Sequence, residues 1–152
     1  PNRIAYAKFE KTLKKNKKFQ NRIVLNKFGL SNKSGSFKMM SLFKDKYAQP
    51  GGSTLIEKEK LISKKFFIFS AKFKVLDTFF KIKKKILAIK IDVEGKEDLT
   101  LKGMTKLISN NKIVLQIEIY KKNYFKVNNL LVKKGFKRVF KHENDYFYTK
   151  NF

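Results

Sequence analysis

The sequence predicts an α/β sandwich built on a mostly parallel sheet, with an antiparallel hairpin at its C-terminal edge. Three observations lead there. Two apolar runs of strand length, Ile86 to Val93 and Lys112 to Tyr120, are each followed by a stretch whose apolar residues recur at helical spacing. Two short strand-like segments flank His142-Glu143-Asn144-Asp145 and close the chain. Finally, 42% of the 152 residues are hydrophobic and 16 are Phe, which is enough for one packed core and too apolar for disorder.

Taken in order, Pro1 and Asn2 open a helix through about Asn16, with Ala5, Phe9 and Leu13 on one face and lysines on the other. Arg22 to Leu30 reads as a strand on its apolar Ile23, Val24, Leu25 and Phe28. Ser31 to Ser36 is a turn by composition, and Gly35 to Phe43 a second, antiparallel strand. Gln49 to Thr54, with its Pro-Gly-Gly centre, is the most obvious loop. Phe67, Phe69, Phe73 and Val75 alternate as in a half-buried strand, and Asp77 is placed to cap a helical turn from Thr78 to Ile82. Ile86 to Val93, interrupted only by Lys90 and Asp92, suits a central parallel strand covered on both faces. A helix follows from Lys96 to about Ser109, with Leu101, Met104 and Ile108 on one face and Glu97 and Asp98 at its positive end. A last helix, Asn123 to Lys134, stops at Gly135, and Phe136 to Phe140 pairs with Tyr146 to Thr149.

Charge is the most unusual number: 37 Lys and Arg against 12 Asp and Glu give a net +25. Only Arg3, Arg22 and Arg138 are arginine, however, and base-reading proteins rely on the planar guanidinium fork. An AT-rich genome enriches Lys, Asn, Ile and Phe without any binding function. Compositional drift is therefore preferred over nucleic-acid recognition. The absence of Cys excludes disulfides and thiolate chemistry, and a single His excludes a multi-histidine metal site. No apolar run approaches the roughly 18 residues of a membrane span, and no targeting segment is visible, so a cytoplasmic location is expected.

Ligands of open α/β sheets bind where strands end at their C-terminal tips. Asp92 and Glu94 sit where the 86–93 strand gives way to Gly95, and Glu118 lies near the end of the next strand. Either these acids form a site, or Asp92 caps the helix and Glu118 pairs with a lysine. Lys90 reads as structural or as a carboxylate partner, and His142 as an exposed turn residue. The loop Gly51-Gly52-Ser53-Thr54 is either a lid or a connection. It is not a phosphate-binding loop, because no Gly-Lys-Ser/Thr follows a strand there. No spacing demands a metal.

The run Ile89-Lys90-Ile91-Asp92-Val93-Glu94-Gly95-Lys96-Glu97, continued to Leu101-Lys102-Gly103, resembles the central signature of the FkbM family of S-adenosylmethionine-dependent methyltransferases. Val114 to Ile119 is similar to the family's following Ile-Glu-Ile strand. Val75-Leu76-Asp77, Gly51-Gly52-Ser53-Thr54-Leu55, Leu30-Ser31-Asn32 and Pro1-Asn2 resemble its flanking elements in order, with Asn32 standing where an acid is usual. The resemblance implies a Rossmann-like class I methyltransferase sandwich in one domain over residues 1–152. It implies that the family's first strand and Gly-rich cofactor loop precede Pro1.

It further implies S-adenosylmethionine as cofactor, contacted by Asn2, Ser31 and Asn32. Asp92 and Glu94 would be catalytic, with Glu118, Ser53 and Thr54 toward the acceptor, a hydroxyl on a sugar, glycan or other small molecule. Two alternatives stand beside it: a non-catalytic lysine-rich α/β module that binds nucleic acid or anionic surfaces, and an inactive remnant whose cofactor site is incomplete.

Overall fold

The computed structural model describes residues 1–44, 47–48, 53–56 and 66–152. The chain forms two compact units, one of Pro1–Gly29 with Ser34–Phe73 and the other of Leu30–Lys33 with Lys74–Phe152.

In the first unit, helix α1 (Arg3–Lys15) is capped by Asn2, whose side-chain oxygen accepts from the Ile4 amide at 2.9 Å. A 3₁₀ turn (Lys17–Arg22) follows. Residues 23–28, expected as strand, have no regular structure, and the first short strand, β1 (Gly29–Leu30), comes later. Ile23, Val24 and Leu25 are consecutive rather than alternating, so no single face collects them, and Val24 remains 86% exposed. Strand β2 (Gly35–Lys44) pairs antiparallel with β3 (Tyr47–Ala48), β4 (Thr54–Leu55) and β5 (Phe66–Lys74). Met39, Ala71 and Phe73 form a small core there, the Phe73 ring meeting Phe37 edge to face. The expected loop falls mostly outside the described residues, but Thr54 lies in β4.

The second unit holds the larger core. Helix α2 (Leu76–Phe79) leads to β6 (Ile86–Ile91), then α3 (Glu97–Lys102) and α4 (Thr105–Ser109). Strand β7 (Lys112–Glu118), helix α5 (Tyr124–Lys133) and the hairpin β8 (Lys137–His142) and β9 (Asp145–Lys150) complete it. Ile113, Leu115 and Ile117 of β7, with Tyr146 and Tyr148 of β9, pack one sheet face onto Leu101, Ile108, Val127 and Leu131 of the helices. The other face carries Ala88, Lys90, Val114, Gln116 and Glu118, none of them fully buried.

The fold is α/β with mixed sheets, which corrects the mostly parallel expectation. In the sheet of the second unit the strand order is β6-β7-β9-β8, with β6 and β7 parallel and the other two pairs antiparallel. The last strand is thus inserted between β7 and β8, giving β7 a neighbour on each side. Among the described residues β6 is at the edge of this sheet rather than its centre, and its burial alternates as that of β7 does, one face more covered than the other.

The single helix expected from Lys96 to Ser109 is broken at Gly103. A Cβ on Gly103 would lie 2.2 Å from the Ser31 carbonyl oxygen, so the chain needs a glycine where these backbones touch. Asp77 does not cap its own helix. Its two carboxylate oxygens accept from the Lys106 and Leu107 amides at 2.7 and 3.0 Å, capping α4 from across the unit. Replacing Asp77 by Ala should cost about 1 kcal/mol. In a thermal melt that corresponds to a Tm lower by roughly 2–4 °C; an unchanged Tm would show that the cap is not formed.

Candidate functional site

The parallel register sets Lys90 beside Gln116 and Ile91 beside Ile117, so both strands end at the same edge of the sheet. Asp92 follows the tip of β6, and Glu118 is the last residue of β7. Antiparallel β9 begins at that edge too, pairing Asp145 with Glu118. Strand polarity therefore gathers carboxylates from three strands at one end.

The turn after β6 is strained. Glu94 adopts φ +53 and Gly95 φ +89, so a non-glycine residue sits in the left-handed region beside a glycine suited to it. Such backbone costs on the order of 1–3 kcal/mol and persists where its surroundings hold it. Here the Glu97 carboxylate accepts from the Gly95 amide at 2.8 Å, and the Tyr120 hydroxyl donates to Glu94 at 2.8 Å. Bonding to the Glu94 carboxylate, aided by burial and the charges nearby, pushes the Tyr120 hydroxyl up to about 12.

Glu118 shares a hydrogen bond with Asp92. Burial, that bond and the negative charges of Asp92, Glu94 and Asp145 raise its carboxyl above the usual range. Lys90 reaches Asp92 at 3.1 Å, and the bond and charge of Asp92 raise its ammonium in turn. Gln116 donates to Asp145 at 3.1 Å. The edge can thus bind a cation, accept hydrogen bonds from a hydroxyl and take up a proton.

Beside β6 lies a cavity of about 340 Å³ walled by Leu76, Phe80, Ile89, Met104 and Leu107, with Asp92 and Thr100 among its polar groups. Its size and lining fall in the range of small-molecule sites. Among the described residues no group of three or more acidic or histidine side chains is spaced to hold a metal ion. No helix among them is long and apolar enough to cross a membrane.

Asp92, Glu94 and Glu118 are brought together. Asn2 and Ser53 meet within the first unit, the Asn2 amide donating to the Ser53 hydroxyl at 3.4 Å, and Thr54 lies next to Ser53 in β4. Ser31 is buried against Gly103 and bonds the exposed Asn32 at 3.3 Å; neighbouring Leu30, not either of these, lines the cavity. Lys90 is a carboxylate partner, and His142 is exposed at the end of β8. Sequence reasoning missed Tyr120 and Asp145. Tyr120 lies two residues beyond an acid-bearing strand tip, which was the available signal, whereas Asp145 reaches the edge only through the insertion of β9. Compared with protein-family models, curated proteins and solved structures, the chain finds no match in any of the three.

A raised folded-state value means that Glu118 holds its proton more tightly in the folded chain than in the unfolded one. Its contribution to stability is present below the unfolded value and is lost as pH rises through the folded one. Glu118→Gln should therefore melt higher relative to the parent at pH 8 than at pH 4. Melting curves that shift equally at the two values would contradict the raised carboxyl.

Proposed function

We propose that this chain is an O-methyltransferase domain that moves a methyl group from S-adenosylmethionine to a hydroxyl on a sugar, glycan or secondary metabolite. The observation that carries the reading is the convergence of Asp92, Glu94 and Glu118 at the tips of the parallel β6–β7 pair. The α/β sheet with its antiparallel C-terminal hairpin is consistent with a Rossmann-like class I sandwich.

The cavity beside β6 fits such a cofactor in two respects. Its apolar walls suit an adenine ring, and the Asp92 carboxylate in its lining suits a sulfonium cation, in a chain of net charge +25. S-adenosylmethionine, when bound, supplies a methyl group made electrophilic by the positive sulfur. Asp92, at the strand tip, accepts a hydrogen bond from the acceptor hydroxyl and takes its proton as the new C–O bond forms. Glu118, bonded to Asp92, shares that proton. Glu94, held by Tyr120, keeps the turn and its carboxylate in place beside them. Most of the acceleration in such a transfer comes from alignment of hydroxyl and methyl, which rigid strand tips favour.

The test is transfer of a radiolabelled methyl group from S-adenosylmethionine into a panel of sugars and glycans. Asp92→Asn and Glu94→Gln should each lower transfer about a hundredfold or more while leaving circular dichroism unchanged. Full activity in both variants would remove the assigned roles, and failure of the parent to bind S-adenosylmethionine in equilibrium dialysis would remove the function.

A further inference from the structure

The parallel pair that collects acids at one end collects lysines at the other. Four of the five residues 81–85, before β6, are Lys; Lys106 of α4 and Lys112 at the start of β7 join them, all exposed. Compositional drift would account for the number of lysines but not for these six lying together. One acid, Asp77, lines a hollow with Lys81, Lys83 and Lys106, and both of its oxygens are engaged by the amides of α4. Among the described residues none of the six makes an ion pair.

The surface is concave and held in shape. Lys84, Lys85 and Lys112 line a hollow of about 400 Å³ with Ser109, Asn110 and Asn151. Lys81, Lys83 and Lys106 line a second of about 280 Å³, and Asn110 belongs to both. Asn111, 3% exposed, pins the floor. Its amide donates to Ile82 and Leu107 carbonyls at 2.9 and 2.8 Å, and its side-chain oxygen accepts from the Lys85 amide at 3.0 Å. Asn151 donates to the Asn111 carbonyl at 2.7 Å. Lys84 is fixed with φ +56 and donates its amide to Asn110 at 2.8 Å. Each hollow has an exposed aromatic at hand: Phe80 lines the second, and Phe152 lies under the Lys112 ammonium by the first.

We propose that this lysine-lined end of the β6–β7 pair is a sequence-independent docking face for single-stranded nucleic acid. Adjoining basic hollows suit successive phosphates of a flexible strand, and the phenyl rings offer stacking surfaces to its bases. A planar bilayer would span the hollows without filling them. Lysine without arginine fits backbone contact rather than base reading. The face lies at the opposite ends of the strands from Asp92 and Glu118, although Phe80 lines both the second hollow and the cavity beside β6.

The experiment is fluorescence anisotropy of the full chain with labelled oligothymidylate and oligouridylate across a salt series. Neutralising Lys83, Lys84, Lys85 and Lys112 to Gln should weaken binding at least tenfold. It should also make the slope of log affinity against log salt shallower by about two to three. A control variant with Lys8, Lys11, Lys14 and Lys15 of α1 changed to Gln carries the same net charge and should stay within about twofold of the parent. Equal loss in the two variants would overturn the proposal, because binding would then follow net charge. Two further arms can also overturn it: tripolyphosphate that binds more tightly than the oligonucleotides, or phosphatidylserine vesicles captured through the same lysines without oligonucleotide binding.

Discussion

The parallel pairing of β6 with β7 is the constraint on which the second unit depends. Parallel strands place like ends together, so whatever chemistry sits before and after each strand is concentrated at opposite edges of the sheet. Among the described residues the pairing is secured by helix packing on one face and by β9 along the far edge of β7. Ile113, Leu115 and Ile117, all fully buried, press β7 onto the helices, while β9 pairs along its far edge in antiparallel register. Because the side-chain period of a strand is two, a one-residue slip would turn these core residues outward. It would also turn Lys90, Asp92, Gln116 and Glu118 inward, so the burial that stabilises the unit also fixes its charged side chains at the surface.

At the acidic edge the charges do not simply repel one another. Lys90 offsets Asp92, Tyr120 holds Glu94, and Glu118 keeps its proton more readily than an ordinary carboxyl. The strained Glu94-Gly95 turn belongs to the same arrangement, since Glu97 and Tyr120 both bond to it. Asp98, buried one residue on, ties α3 to α5 through Lys126 at 2.7 Å. The support behind the edge is therefore ionic as well as apolar.

What the sequence disclosed follows from range. Strands β6 and β7 were legible as apolar runs of strand length, and helix α5 from the Gly135 that stops it, signals carried within a dozen residues, although the runs hid the alternating burial the strands show. The proximity of Asp92, Glu94 and Glu118 was legible because consecutive parallel strands must share an edge. Features set by distant contacts were not. The break at Gly103 is imposed by Ser31, and the cap of α4 is supplied by Asp77, 29 residues before Lys106. Insertion of β9 beside β7 brings Asp145 to the site from the end of the chain. The apolar run Ile23 to Leu25 misled for the opposite reason: it has strand composition but lacks the alternation that would give it a face to bury.

The account rests most on the claim that the strand-tip carboxylates interact as a unit, and carboxyl-carbon NMR of selectively labelled Glu followed against pH addresses that claim most directly. Glu118 should titrate above the range of the exposed glutamates, and Asp92→Asn should bring it back toward them. A Glu118 that titrates with the exposed glutamates in the parent chain, or that does not respond to the loss of Asp92, would contradict the shared site.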